Sequence, residues 1–270
     1  MFLFSLKAQD PLFYQFQNAP TYVSPTFNGT ESDIRLTANY QDLHTNDLIN
    51  FSYQAASIAI DKPFQLKNGD RIRAGFRIFY DQSGELKLES PQAALAGNYQ
   101  KLISKNGTSK HFLIGAFDVT YAQKRIDFEN FRFGSQHNGQ GQFDPTLPTN
   151  EDLFIGTIHY LDYSLGLAWR SEFNDVSNLQ LAFNIFHLNR PNQSFSTEGE
   201  SRLDLLYQIV GIYNIDLTKK FHISPRAIYR SQGPSQSFIL GTSLSLLVGC
   251  LLYTSPSPRD ATLSRMPSSA

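Results

Sequence analysis

Arg71-Ile-Arg-Ala-Gly-Phe-Arg-Ile-Phe-Tyr80 is the stretch on which the fold turns. In an extended strand Ile72, Ala74, Phe76, Ile78 and Tyr80 share one face, and Arg71, Arg73 and Arg77 share the other. A soluble sandwich would bury the apolar set and solvate the arginines. A membrane barrel would do the reverse, because an arginine turned to lipid costs roughly 2–4 kcal/mol near the midplane. Which solvent bathes the apolar face therefore decides the function class.

The same period recurs on both sides of this stretch, from about Asp33 to Gly249. Strand candidates fall at roughly 33–41, 51–60, 71–80, 92–103, 110–122, 160–170, 178–188, 201–216, 220–230 and 237–249. Most of these lengths suit a tilted crossing of a bilayer. Phe238, Leu240, Thr242, Leu244, Leu246 and Val248 alternate with Ser237, Gly241, Ser243 and Ser245. Leu203, Leu205, Tyr207, Ile209, Gly211, Tyr213 and Ile215 alternate with Arg202, Asp204, Gln208, Asn214 and Asp216, although Leu206, Val210 and Ile212 blur that polar face. Asn106-Gly107 marks a tight hairpin, and Pro225 predicts an edge or a bulge. Loops after even-numbered candidates are mostly short. Those after the third, fifth and seventh are longer, and the one near 123–159 is the longest. Short turns at one end and long loops at the other is the outer-membrane arrangement. Tyr40, Phe51, Tyr80, Tyr99, Tyr121, Tyr160, Tyr163, Trp169, Tyr213 and Tyr229 lie near strand ends, as an interfacial girdle or plain β-propensity would place them.

Composition agrees with alternating strands. The chain has 270 residues, 17% charged and 13% aromatic, with a net charge of −1 that offers nothing to a nucleic acid. No apolar run reaches the length of a transmembrane helix, which leaves a barrel open. Cys250 is the single cysteine, so no internal disulfide forms.

The expected architecture is all-β: a transmembrane antiparallel β-barrel of outer-membrane type, truncated at its C-terminal side. Residues 1–8 read as the remnant of a signal peptide ending at Ala8. Residues 9–30 form a lead-in segment without alternation, either a plug, a periplasmic docking segment or a simple extended approach. Residues 31–249 form the incomplete barrel. Residues 250–270 are expected to be a non-native tail, because Thr254 to Ala270 resembles translated sequencing adapter.

No chemistry-bearing constellation stands out. His44, His111, His137, His159, His187 and His222 show no metal-binding spacing. Ser194, His187 and Asn189 contain the residue types of a barrel hydrolase but lack the tight run that positions them. Asp144, Glu151 and Asp152 match no EF-hand loop. No cofactor and no enzymatic activity are expected. Arg71, Arg73 and Arg77 are expected to line the interior and to pair with acids such as Asp118, Asp204 or Asp216.

Four stretches resemble the PorP/SprF family of type IX secretion outer-membrane proteins. They are Ala8-Gln-Asp-Pro-Leu-Phe-Tyr-Gln-Phe-Gln-Asn-Ala-Pro20 with Tyr22-Val-Ser-Pro-Thr-Phe-Asn-Gly29, Ile34-Arg-Leu-Thr-Ala-Asn-Tyr-Gln41, Lys124-Arg-Ile-Asp-Phe-Glu-Asn-Phe-Arg-Phe-Gly-Ser-Gln136, and Phe186-His-Leu-Asn-Arg-Pro-Asn-Gln-Ser-Phe195. Ala19 is an insertion relative to the family's Asn-Pro step. The resemblance singles out Asn18, Pro25, Gly29, Asp127, Phe128, Phe133, Gly134, Asn189 and Pro191 without assigning them a role. It implies an outer-membrane accessory of type IX secretion that supports export or surface attachment of large cargo such as gliding adhesins. It implies periplasmic and inner-membrane secretion components as partners, in contact with outer-membrane lipid. The alternative is a general porin or uptake channel.

Overall fold

A computed structural model describes residues 10, 12–13, 16–26, 34–44, 52–84, 87–126, 134–137, 142–144, 146–148, 155–174, 176–197, 199–218 and 220–247. The strands are β1 (Arg35–His44), β2 (Ser52–Gln65), β3 (Arg71–Ser83), β4 (Leu88–Glu89), β5 (Gln92–Asn106), β6 (Ser109–Arg125), β7 (Thr157–Asn174), β8 (Ser177–Phe186), β9 (Leu206–Asp216), β10 (Phe221–Gln232) and β11 (Ser235–Leu246). They form one antiparallel sheet, ordered along the chain from β1 to β11. The one complication is β4, which fills a gap beside β5 by pairing with the end of β3 and, through Glu89 and Arg125, with β6. No helix among the described residues is long and apolar enough to cross a membrane. The ten main strands have 10–18 residues each, where a tilted crossing needs about 9–11.

The burial pattern is the inverse of a soluble sheet. In β3 Ile72, Phe76 and Ile78 are exposed while Arg73 keeps 2% of its surface. In β9 Tyr207 and Ile209 face out and Gln208 faces in; in β11 Leu240 is 69% exposed and Leu244 is similar. Leu165, Leu167 and Trp169 continue the outer belt on β7, with Ser164 and Arg170 buried behind them. A contiguous apolar outer face over a polar inner face means that lipid is the outer solvent. The strands therefore belong to an outer-membrane-type protein.

Antiparallel succession sorts the connections by end. The strand ends joined through 66–70, 107–108, 175–176 and 217–220 lie at one end of the sheet, and those joined through 45–51, 84–91, 126–156 and 187–205, with the tight turn 233–234, lie at the other. Gly107 adopts φ 59° in the expected Asn106-Gly107 hairpin, a conformation open to glycine at little cost.

Four details differ from the sequence reading. The two-residue β4 is too short to carry a period. The segment 201–205 is not part of β9, because it is held by the preceding connection: Leu203 N–H donates to Pro191 O at 3.0 Å and Ser201 N–H to Asn192 Oδ1 at 2.8 Å. Leu205 and Asp204 therefore stand outside the ladder. Pro225 sits inside β10, opposite Thr242 of β11, where the ladder to β9 lapses between Ile223 and Arg226 without changing register. Tyr160 and Tyr163 are only partly exposed, unlike Tyr121 and Trp169. The expectations for 1–8, for 250–270, and for Gly29, Asp127, Phe128 and Phe133 lie outside the described residues.

Candidate functional site

The described residues of the N-terminal segment 10–26 are seated against the inner face of the sheet. Irregular backbone that is buried must find partners for its polar groups. Inward side chains from six strands provide them. Asn39 of β1 donates to Asn18 O at 3.0 Å, Arg77 of β3 to Thr21 O at 2.5 Å, and Asn98 of β5 to Pro25 O at 3.3 Å. Gln180 of β8 donates to Thr26 O at 3.1 Å, Gln208 of β9 to Val23 O at 2.7 Å, and Arg230 of β10 to Asp10 O at 3.2 Å. The Ser24 hydroxyl donates to Asn184 Oδ1 at 2.7 Å. The short helix α1 (Pro20–Val23) has a proline at its start and stops at extended Ser24.

Apolar contacts complete the seat. Phe16 and Val23 pack with Phe112, Ile114, Ala168, Ala182, Val210 and Ile228, all on inner faces. Phe13, with Ala19, Ala55 and Phe79, forms a second cluster, in which the Tyr22 ring stacks on Phe79 at 4.6 Å. Phe16 also lies 3.7 Å from where a Cβ on Gly241 of β11 would stand. Strands at both ends of the ladder thus reach one short segment, and the sheet is rolled around it. Gly166 admits the segment by lacking a side chain: a Cβ there would meet the Thr26 methyl and Asn184 Oδ1, each at 2.6 Å.

Near the long-loop end, the segment is clasped by His187. Its Nδ1–H donates to Asp162 Oδ2 at 2.7 Å and its Nε2–H to Asp10 Oδ2 at 2.5 Å. Burial opposes a charged imidazole, but the Asp10 charge and hydrogen bonds to both carboxylates outweigh it and hold the pKa up at about 9. Burial likewise works against ionised Asp10, and His187 and Arg230 overcome it, bringing its pKa down to about 2. The sequence reading placed His187 merely above a loop; its buried, doubly paired state depends on residues 25 and 177 positions away. Ser194 is engaged elsewhere, donating to Ser196 O at 3.2 Å.

The arginine stripe lies on the inner face with mixed partners. Arg77 pairs with the expected Asp118 at 3.4 Å and lies over the Tyr22 ring. Arg73 pairs with Asp61, which also takes Arg35 at 2.9 Å. Arg71 reaches Glu172 at 3.3 Å. Asp204 and Asp216 are used by Arg190 and His222 instead. Of the family-motif positions, Asn18 and Pro25 belong to the seated segment. Gly134 opens a 3-10 turn, Asn189 donates to Leu161 O at 2.6 Å, and buried Pro191 accepts from Leu203. Asn189 and Pro191 flank the left-handed Arg190, three residues beyond the His187 clasp. Among the described residues no group of His, Cys, Asp and Glu is placed to hold a metal ion. A concavity of about 870 Å³ on the outer face, around Leu95, Gly97, Gly115, Phe117 and Leu167, is almost wholly apolar. It offers lipid chains a fit and holds no group for chemistry.

The sequence model of a family described as type IX secretion system membrane protein PorP/SprF matches residues 5–254. No curated protein matches the chain.

Proposed function

We propose, from the premise that this chain belongs to the PorP/SprF family of type IX secretion system membrane proteins, that it supports export or surface attachment of large cargo such as gliding adhesins. It is a membrane component of that system, and its fold suits the outer membrane. In this reading it works by binding other secretion components in the periplasm and inner membrane, and it carries no enzymatic activity. The observation that favours this over a general porin is the seated N-terminal segment. A diffusion channel needs a wet passage, whereas here six strands spend inward polar side chains on holding residues 10–26.

Deleting the gene tests the reading. The expected result is loss of adhesin-type cargo from the cell surface with small-solute uptake unchanged. Normal surface cargo with impaired uptake would favour the porin instead.

A further inference from the structure

A second group of charges, at the short-turn end of the inner face, takes no part in holding the N-terminal segment. A cavity of about 270 Å³ lies there, lined by Arg71, Lys110, Arg170, Glu172, Asn178 and Asn214. Arg170 is buried, yet its Nε and Nη1 have no hydrogen-bond partner. Its Nη2 lies 2.9 Å from Glu172 Oε1, and Arg71 Nη1 approaches the same oxygen at 3.3 Å. One carboxylate thus serves two guanidinium groups. Lys110 stands directly opposite Glu172 in the β6–β7 ladder but makes no ion pair among those described. Asp216, a second carboxylate in the lining, is engaged by His222, which lines the cavity with it. Asn214 donates to Asn178 at 2.8 Å and brings no charge.

We propose that this cavity binds a small oxyanion, a carboxylate or a phosphate group, presented from the periplasmic side. Apart from the Asp216–His222 pair, three cations face one carboxylate. Buried guanidinium N–H groups without acceptors are costly, and a planar or tetrahedral oxyanion satisfies two of them at once. The volume suits such a group and lies below the usual range for a drug-sized ligand. The lining residues lie towards the strand ends joined through 66–70, 107–108, 175–176 and 217–220, which outer-membrane topology places in the periplasm. The site does not depend on the secretion role.

Calorimetric titration of the folded protein in detergent, at fixed ionic strength, tests it with two probes: sodium phosphate and sodium glutarate. The expected result is saturable binding of at least one. Affinity should fall about tenfold or more in Lys110→Ala and in Arg170→Gln, and stay unchanged in Lys62→Ala, whose side chain is exposed on β2. Binding of phosphate alone identifies a phosphate group, glutarate alone a carboxylate, and both a general oxyanion site. If Arg170→Gln does not fold, Lys110→Ala decides. No saturable binding of either probe, or unchanged affinity in Lys110→Ala, overturns the proposal.

Discussion

His187 joins the wall to the segment it encloses, and its protonation sets the strength of that joint. Its folded pKa of about 9 lies above the ordinary value of 6.5, so its contribution is complete below 6.5 and is lost as pH rises through 9. The folded pKa of Asp10, about 2, lies below its ordinary 3.8, so its contribution is present above 3.8 and is lost as pH falls through 2. The clasp is fullest between about pH 4 and 6.5, weakens as pH rises from 6.5 towards 9, and has lost the histidine contribution, on the order of 3 kcal/mol, above that. Arg230 and Lys124 also face Asp10. Limited proteolysis should cut within residues 10–26 faster at pH 10 than at pH 7. His187→Gln should be cut readily at both; equal resistance of the two proteins at pH 7 would dismiss the clasp. Gly166 makes a steric counterpart. Gly166→Val forces side-chain atoms into Thr26 and Asn184 and should lower stability by about 1–3 kcal/mol. Denaturant unfolding of both proteins in the same detergent measures it, and an unchanged midpoint would mean that the segment yields freely.

Connections carry the next prediction. With long connections outside and short turns in the periplasm, protease added to intact cells should cut within 126–156 before it reaches the Gly107 turn. Cutting at Gly107 alone would reverse the orientation. The strands themselves were legible because period-two alternation is a local property, strong wherever one face meets lipid. The inner placement of Arg73 and Arg77 followed from that alternation alone. Elements without a period were not legible: β4 has two residues, and 201–205 alternates well yet pairs with its own connection. Pro225 was misjudged because a ladder can lapse on one side of a strand while holding on the other. The seat of residues 10–26 left one trace, the apolar Val210 and Ile212 on a face otherwise polar. With Phe112 and Ile114 they meet Phe16 and Val23, and no local pattern says which distant segment such residues await.

The whole molecule is a wall built around a filling, and this has a readout in bilayers. Reconstituted at neutral pH, the protein should pass little steady current, and His187→Gln should show more frequent openings. A large, constantly open conductance in the unaltered protein would argue for a channel. The filling also imposes an order of assembly. Residues 10–26 come before every strand in the chain, but their partners are spread to the far side of it: Asp10 meets Gln232 across 222 positions. Closing so wide a loop is slow and entropically costly. Until β10 is in place, Phe16 and Val23 lack the cover of Ile228, so the unfinished chain is expected to expose apolar surface for longer than an empty barrel would. Capture of the segment is then a late folding step, and its resistance to protease dates the moment at which the wall is finished.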